Sequence, residues 1–335
     1  MRAEKLPSGN YRCRVTWTEN GVRHTESFTR PSAPEARMAA ARFMGRTYKS
    51  KTDLTVGDAV DKYISVNSNV LSHSTIRGYR IAQSRIDSIG KLKIKSITNN
   101  AVQTFINDLA GRYSPKTVRN TYGLLSAALY HFQPDLALNV RLPAPKADRT
   151  NIPTKEEVDR LLANANPTLK IAIALCGFCA IRRGAICTLK HKDLDRKNKT
   201  IHVHASMIEG EDGAWHIKDS AKTGKSNRFV HCPEFVFDLI GEGSPDDPIL
   251  NVRPNAISNA FRRLRNKLGI DVTFHDLRAF YASSMAILGV PDFYVADEGG
   301  WEKNSVALKK IYQRVQRDER ERFYALSDKF FESVP

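Results

Sequence analysis

A set of side chains in the second half of this sequence belongs to types that bind, attack or protonate phosphate. Arg182 ends the apolar run Leu175-Cys-Gly-Phe-Cys-Ala-Ile, and Arg183 stands beside it. Lys222 lies in Ser220-Ala-Lys-Thr-Gly-Lys-Ser226 with Lys225, between two strand-like stretches. His275 and Arg278 share Thr273-Phe-His-Asp-Leu-Arg278, which opens a helical pattern. Trp301 follows Gly299-Gly300, and Tyr312 comes eleven residues later. A guanidinium fork matches two phosphate oxygens. Fixed cations stabilise the negative charge that builds on a phosphodiester under attack. Lysine and imidazole can move protons, and a phenol with a pKa near ~10 attacks well only when assisted.

Taken singly, each of these residues has an ordinary reading. Arg182 would cap a helix C-terminus, and Lys222 would be solvated in a turn where Lys225 competes for any role. His275 would cap a helix or sit in a core, Trp301 would anchor packing, and Tyr312 would belong to an amphipathic face. Tyr294 and Tyr324 are rival phenols. Cys176-x-x-Cys179 lies in an apolar stretch with no second pair, which reads as buried structural thiols. His202-Val-His204 lacks a third ligand at a fixed offset, so no metal is expected. No Walker loop, G-x-G-x-x-G or G-x-S-x-G occurs.

The charge favours a polyanionic partner. Of 335 residues, 52 are Lys or Arg and 36 are Asp or Glu, a formal net charge of +16. The first 150 residues carry +13 of it, which puts the binding load at the front and leaves the back free for chemistry. With 41% hydrophobic and 26% charged residues, the composition is that of an ordinary globular protein and wholesale disorder is not expected. No apolar run spans a bilayer and the N-terminus has no apolar core, so neither a membrane segment nor a signal peptide is expected. Five cysteines, an odd number, fit a reducing cytoplasm better than a disulfide framework.

Three blocks position these residues. In residues 1–50, Tyr11–Trp17 alternates as a strand, Glu19-Asn-Gly21 supplies a turn, and a return strand runs from Val22 to about Thr29. Arg12, Arg14 and Arg23 would share one face of this sheet, suited to a DNA groove. Ser32 and Glu35 form a capping box for a helix over Ala36–Tyr48. Residues 54–136 read as an all-helical block with helices at Val56–Val66, Ser74–Ile89, Thr98–Ala110 and Ser114–His131. Arg77, Arg80, Lys116 and Arg119 in that block suit phosphate contacts. A proline-containing linker, Asn139–Thr150, precedes a third block over 150–335. That block contains helices at Thr154–Ala163, Lys170–Cys179, Asn255–Leu268, Leu277–Leu288 and Ser305–Phe331, the last with a break. Its strands fall near Thr200–Ser206, Ala214–Asp219 and Asn227–Cys232, with Lys222 on a hairpin. Arg262 and Arg263 crowd the helix before the His-x-x-Arg motif, where they could follow a duplex.

The order Arg, Lys, His-x-x-Arg, His or Trp, then Tyr resembles the tyrosine recombinase (phage integrase) family, and the resemblance covers the whole chain. It implies a multidomain fold: a small N-terminal β-sheet-plus-helix arm-binding domain (1–50), an all-α, SAM-like core-binding domain (54–136), and a mainly α catalytic domain with a small antiparallel sheet (150–335). It implies site-specific recombination of double-stranded DNA. Arg182, Arg278 and Trp301 would bind the scissile phosphate, Tyr312 would form a 3′-phosphotyrosyl link, and His275 would act as base or proton-holding partner. Lys222 would protonate the leaving 5′-oxygen, with Arg183 and Lys225 as DNA contacts. It further implies no metal, cofactor or ATP, a synaptic tetramer on core and arm sites, and an excision factor and a host DNA-bending protein as accessory partners. The family often has an acid three residues after the first arginine; here that position is Ala185. A type IB topoisomerase-like activity and a non-catalytic DNA-binding regulator are the rival readings.

Overall fold

The computed structural model describes residues 2–19, 22–47, 54–134, 136–145, 151–219, 227–302 and 304–332. The chain forms two compact units, Met1–Ala147 and Asp148–Pro335.

The first unit contains two separate hydrophobic cores. At the front, β1 (Ala3–Lys5), β2 (Tyr11–Glu19) and β3 (Val22–Arg30) form an antiparallel sheet in the order β1-β2-β3. The sequence pattern missed β1, which is too short to show a period. Cys13 and Val15 point into a core shared with Ala36 and Ala40 of α1 (Ala33–Thr47), as strand alternation requires. The register pairs Arg12 with Thr29, Arg14 with Ser27 and Thr18 with Arg23, so the three arginines lie on the opposite face.

The second core is built by α2 (Val56–Asn67), α3 (His73–Gln83), α4 (Asp87–Gly90), α5 (Asn99–Arg112) and α6 (Pro115–Phe132). Thr55 and Asp58 make a reciprocal capping box, while Ser72, Thr98 and Ser114 cap α3, α5 and α6 with side-chain oxygens. The expected helix over Ser74–Ile89 is two helices. Ser84 ends α3, its backbone N–H donating to Arg80 and Ala82 and its hydroxyl to the Ile81 carbonyl. The expected linker is docked as far as Pro143. Leu136, Leu138, Val140 and Leu142 pack on the helical core. The backbone N–H groups of Asn139 and Arg141 donate to Asn99 Oδ1 at 2.9 Å and Gln103 Oε1 at 2.7 Å. Alternating apolar residues beneath the prolines are the physical reason.

The second unit begins with α7 (Lys155–Asn164), capped by a full Thr154/Glu157 box, and α8 (Pro167–Cys179), capped by Asn166 and buried along most of its length. Then come α9 (Arg183–Ile186), β4 (Leu194–Asp195), β5 (Thr200–Val203), β6 (Ala205–Glu209), β7 (Trp215–Asp219) and β8 (Arg228–His231). They form two small sheets, β4-β5-β8 and β6-β7. The single strand expected over Thr200–Ser206 is therefore divided between sheets. Likewise, β7 and β8, expected to pair as a hairpin, belong to different sheets, and Lys222 between them lies outside the described residues. Six helices complete the unit: α10 (Glu234–Ile240), α11 (Pro254–Leu268), α12 (Asp276–Ile287), α13 (Asp292–Gly299), α14 (Val306–Asp318) and α15 (Arg320–Glu332). A large core gathers α7, α8, α10, α11 and β5, and a smaller one joins α12, α13 and α14. No helix among the described residues is long and apolar enough to cross a membrane.

Candidate active site

Helix α13 ends in a turn that gathers three arginines. Gly300 caps the helix at φ +66°, a left-handed conformation that favours glycine. Its N–H bonds back to the Ala296 and Asp297 carbonyls, and the Trp301 N–H donates to Ala296 at 2.8 Å. The next three carbonyls each accept from a guanidinium: Glu298 from Arg228 Nε at 2.5 Å, Gly299 from Arg278 Nη2 at 2.7 Å, and Gly300 from Arg182 Nη2 at 2.5 Å. Orphan carbonyls at the negative end of a helix dipole are natural partners for cations. This explains how three like charges meet in one place.

Each arginine arrives from a different element. Arg182 is the N-cap residue of α9, two residues after Ala180, which ends α8 in a left-handed turn at φ +52°. Arg278 rises from the first turn of α12 and is 2% exposed; it also donates through Nη1 to the Ala180 carbonyl, so it ties the ends of α8 and α13 together. Its Cζ lies 4.2 Å from the centroid of the Trp301 ring, a cation–π contact. Arg228 comes from β8. Ala185, three residues after Arg182, is buried in the core, and the Gly300 carbonyl supports the guanidinium.

The site is electropositive and short of anions. Burial, then the nearby Arg182, pushes Arg278 down to about 9; the same causes push Arg228 down to about 10. Desolvation also lowers Arg182. The Arg278 Nε and one Arg228 terminal nitrogen are buried without a hydrogen-bond partner. Glu298 does not neutralise the cluster through its carboxylate, which accepts the Tyr281 hydroxyl at 2.6 Å. Such a cluster favours binding of an anion with several oxygens.

His275 is the N-cap residue of α12 and is exposed. Desolvation first, then Arg278, hold its imidazole below the usual histidine range, so it is neutral at pH 7 and able to accept a proton. Tyr312, in α14, is 9% exposed and packs in the same cluster as Trp301. Its hydroxyl donates to the Val290 carbonyl at 2.8 Å, and burial, with Asp292, pushes it up to about 12. The structure thus stacks Arg278 on Trp301, holds Arg182 on the adjoining Gly300 carbonyl, places His275 in the field of both arginines, and holds the Tyr312 hydroxyl on a backbone carbonyl. Lys222 and Lys225 lie outside the described residues.

The other basic candidates are placed as follows. Arg14 and Arg23 are exposed on the N-terminal sheet, and Arg12 pairs with Glu4 at 3.2 Å. Arg80 pairs with Asp61 at 2.5 Å, Arg77 is half-buried on α3, and Lys116 is exposed in the first turn of α6. Arg119 is turned inward, its Nε donating to the Pro143 carbonyl at 3.1 Å. Arg183 donates to Ser258 on α11, which also presents Arg262 and Arg263 to solvent. Exposed pairs such as Arg80–Asp61 contribute only about 0–1 kcal/mol and can be exchanged for phosphate. The histidines that lacked a third ligand are otherwise engaged: His202 Nε2 meets Asn227 Oδ1 at 2.6 Å, and His204 Nε2 meets Asp193 at 3.2 Å.

Sequence reasoning missed Arg228. The signal was present: β8 reads Arg228-Phe229-Val230-His231, and Val230 is buried while Phe229 is exposed. Alternation therefore puts the arginine on the inward face.

Residues 152–319, which hold every site residue named above in the second unit, match the phage integrase family. The chain belongs to that family. The integrase of Salmonella phage P22 is 25% identical over 187 residues, covering 54% of this chain and 48% of that protein, so the chain spans about half the length of this relative. The integrase of Mycobacterium phage D29 is 22% identical over 327 residues, covering 90% of this chain and 83% of that one. Among solved structures, the Tn1549 transposon integrase in complex with a circular intermediate DNA superposes with a TM-score of 0.65 at 18% identity, over 80% of this chain and 99% of that one. The multidomain tyrosine recombinase fold implied by the motif order is the fold observed. The class of activity that goes with the family is site-specific DNA recombination.

Proposed function

We propose that this family member cuts and rejoins DNA at specific sites through a 3′-phosphotyrosyl intermediate, as the integrase of a phage or other mobile element. The convergence of Arg182 and Arg278 on one turn, with a buried N–H left unpaired, carries this reading. A phosphodiester placed there satisfies both cations, and the charge that grows on its non-bridging oxygens during attack meets fixed donors. The Tyr312 oxygen leaves Val290, attacks phosphorus and loses its proton to His275 or to solvent. The bond to the 5′-oxygen breaks, and Lys222 gives that oxygen a proton. The tyrosyl ester conserves the bond energy, so a 5′-hydroxyl from another duplex reverses the step without ATP. Integration, and excision by the reverse route, follow from the same chemistry.

Double-stranded DNA is the partner in this reading. The N-terminal sheet binds arm sites through Arg12, Arg14 and Arg23, and the helical block and α11 hold the core site. Self-association into a tetramer on DNA is supported by α15, which buries none of its residues and exposes Tyr324, Leu326, Phe330 and Phe331. The protein would work in the cytoplasm, on DNA, with an excision factor and a host bending protein as accessory partners.

A nicked duplex carrying the junction of the element with its host site tests this. The expected result is a covalent protein–DNA adduct that disappears in Tyr312→Phe and persists in Tyr294→Phe and Tyr324→Phe. An adduct with Tyr312→Phe removes the assigned nucleophile. A gel shift without an adduct means a DNA-binding regulator, and relaxation of supercoils without strand exchange means a topoisomerase-like activity.

A further inference from the structure

We infer that Arg228 is a positioning residue for the cleavage step: it holds the Glu298–Trp301 turn in place so that Arg182, Arg278 and Trp301 keep their mutual geometry. The inference rests on the recombinase reading above and deepens it.

Three observations carry it. Arg228 occupies an inward position of β8 while Phe229 occupies an outward one, the reverse of what burial of apolar surface favours. Its Nε donates to the Glu298 carbonyl at 2.5 Å, immediately before the carbonyls used by Arg278 and Arg182. Its guanidinium also packs against Gly300: a Cβ built there would lie 3.2 Å from the Arg228 Cζ and 3.2 Å from the Arg182 Nη1. Arg228 and Arg182 therefore embrace the same glycine.

The energetics argue against a role in folding alone. Arg228 is desolvated beside a like charge, Arg182, whose repulsion outweighs the attraction of Asp297. One of its terminal nitrogens is buried with no partner. An apolar residue at this inward position would avoid both costs. What an apolar residue cannot do is bind the Glu298 carbonyl and fix the turn. Because its Nε is committed to the Glu298 carbonyl and its guanidinium packs on Gly300, Arg228 is assigned to the turn and not to the phosphate. Its rigid fork matters more than its charge, so lysine is an incomplete substitute.

The test measures core-site affinity and single-turnover adduct formation on the nicked duplex for the full chain, Arg228→Lys and Arg228→Met, with thermal unfolding of each. Core-site affinity is expected to stay within about twofold, because no phosphate contact is lost. The cleavage rate is expected to fall about 10- to 100-fold in Arg228→Met, as small misplacements of reacting groups do, and to be partly restored in Arg228→Lys. Equal cleavage rates in all three overturn the inference. So does a loss of affinity that parallels the loss of cleavage, which would make Arg228 a DNA contact. If Arg228→Met does not fold, Arg228→Lys decides alone: wild-type cleavage by a folded Arg228→Lys overturns it. An unmodified chain that forms no adduct overturns the recombinase reading, and this inference with it. A wild-type adduct together with unimpaired variants overturns this inference only.

Discussion

Arg278 lies over the face of Trp301, 4.2 Å from its Cζ to the ring centroid, while two of its nitrogens hold the Ala180 and Gly299 carbonyls. The indole thus acts as a platform that keeps the most deeply buried cation of the site in one orientation. The close fit extends to Gly299, where a Cβ would meet the Trp301 ring at 1.8 Å. The large indole suits this packing role, because its ring covers the guanidinium.

Gly300→Ala should damage the site from the backbone side. A left-handed alanine costs about 1–2 kcal/mol, and its methyl group would press at 3.2 Å on both Arg182 and Arg228. A loss of unfolding free energy of that size, with adduct formation reduced and core-site affinity little changed, is the expected pattern. Full cleavage activity in this variant would show that the turn tolerates displacement of both arginines.

On the proposed assignment, protonation of His275 is expected to set the acid limb of cleavage. Its folded pKa lies below the ordinary histidine value of 6.5, so the imidazole stays neutral above that pH and protonates only below it. The cleavage rate of the free enzyme should therefore hold from pH 7 to 6.5 and fall at lower pH, and His275→Gln should remove this limb. The stability linked to this group is present above pH 6.5 and is lost as pH falls through the lowered value. An acid limb centred above 6.5 would contradict the assignment.

Tyr312 should make the fold alkali-sensitive. Its pKa is raised from 10.0 to about 12, so the folded protein keeps a proton that the unfolded chain loses between those values. Stability is then fully present below about pH 10 and declines as pH rises toward 12. Urea midpoints at pH 8 and pH 11 should differ less for Tyr312→Phe than for the unmodified chain. Phenylalanine also forfeits the bond to Val290, so its unfolding free energy at pH 8 should be lower by about 1 kcal/mol.

Removal of residues 1–50 separates arm binding from chemistry. The second unit contains the whole arginine cluster, so adduct formation on core DNA should survive the deletion. Integration in a plasmid assay should fall steeply. Unimpaired integration would refute the arm-site role assigned to Arg12, Arg14 and Arg23.

Several features of the molecule were legible one residue at a time. Capping residues at Ser114 and Thr154 start their helices by local hydrogen bonds, and alternation along Tyr11–Trp17 assigns the faces of β2. The net charge named a polyanion, and the order of Arg182, His275, Arg278, Trp301 and Tyr312 named the family, because both are properties of the chain as written. Tertiary structure alone decided where these groups stand. The turn after α13 collects arginines separated by up to 96 positions in sequence, through backbone carbonyls that carry no residue-type signature. The same holds for Tyr312, whose phenol rests on the carbonyl of Val290. Side-chain identity can be read from sequence, but which carbonyls a fold leaves unpaired, and which cations reach them, is settled only when helix ends and strands are packed together.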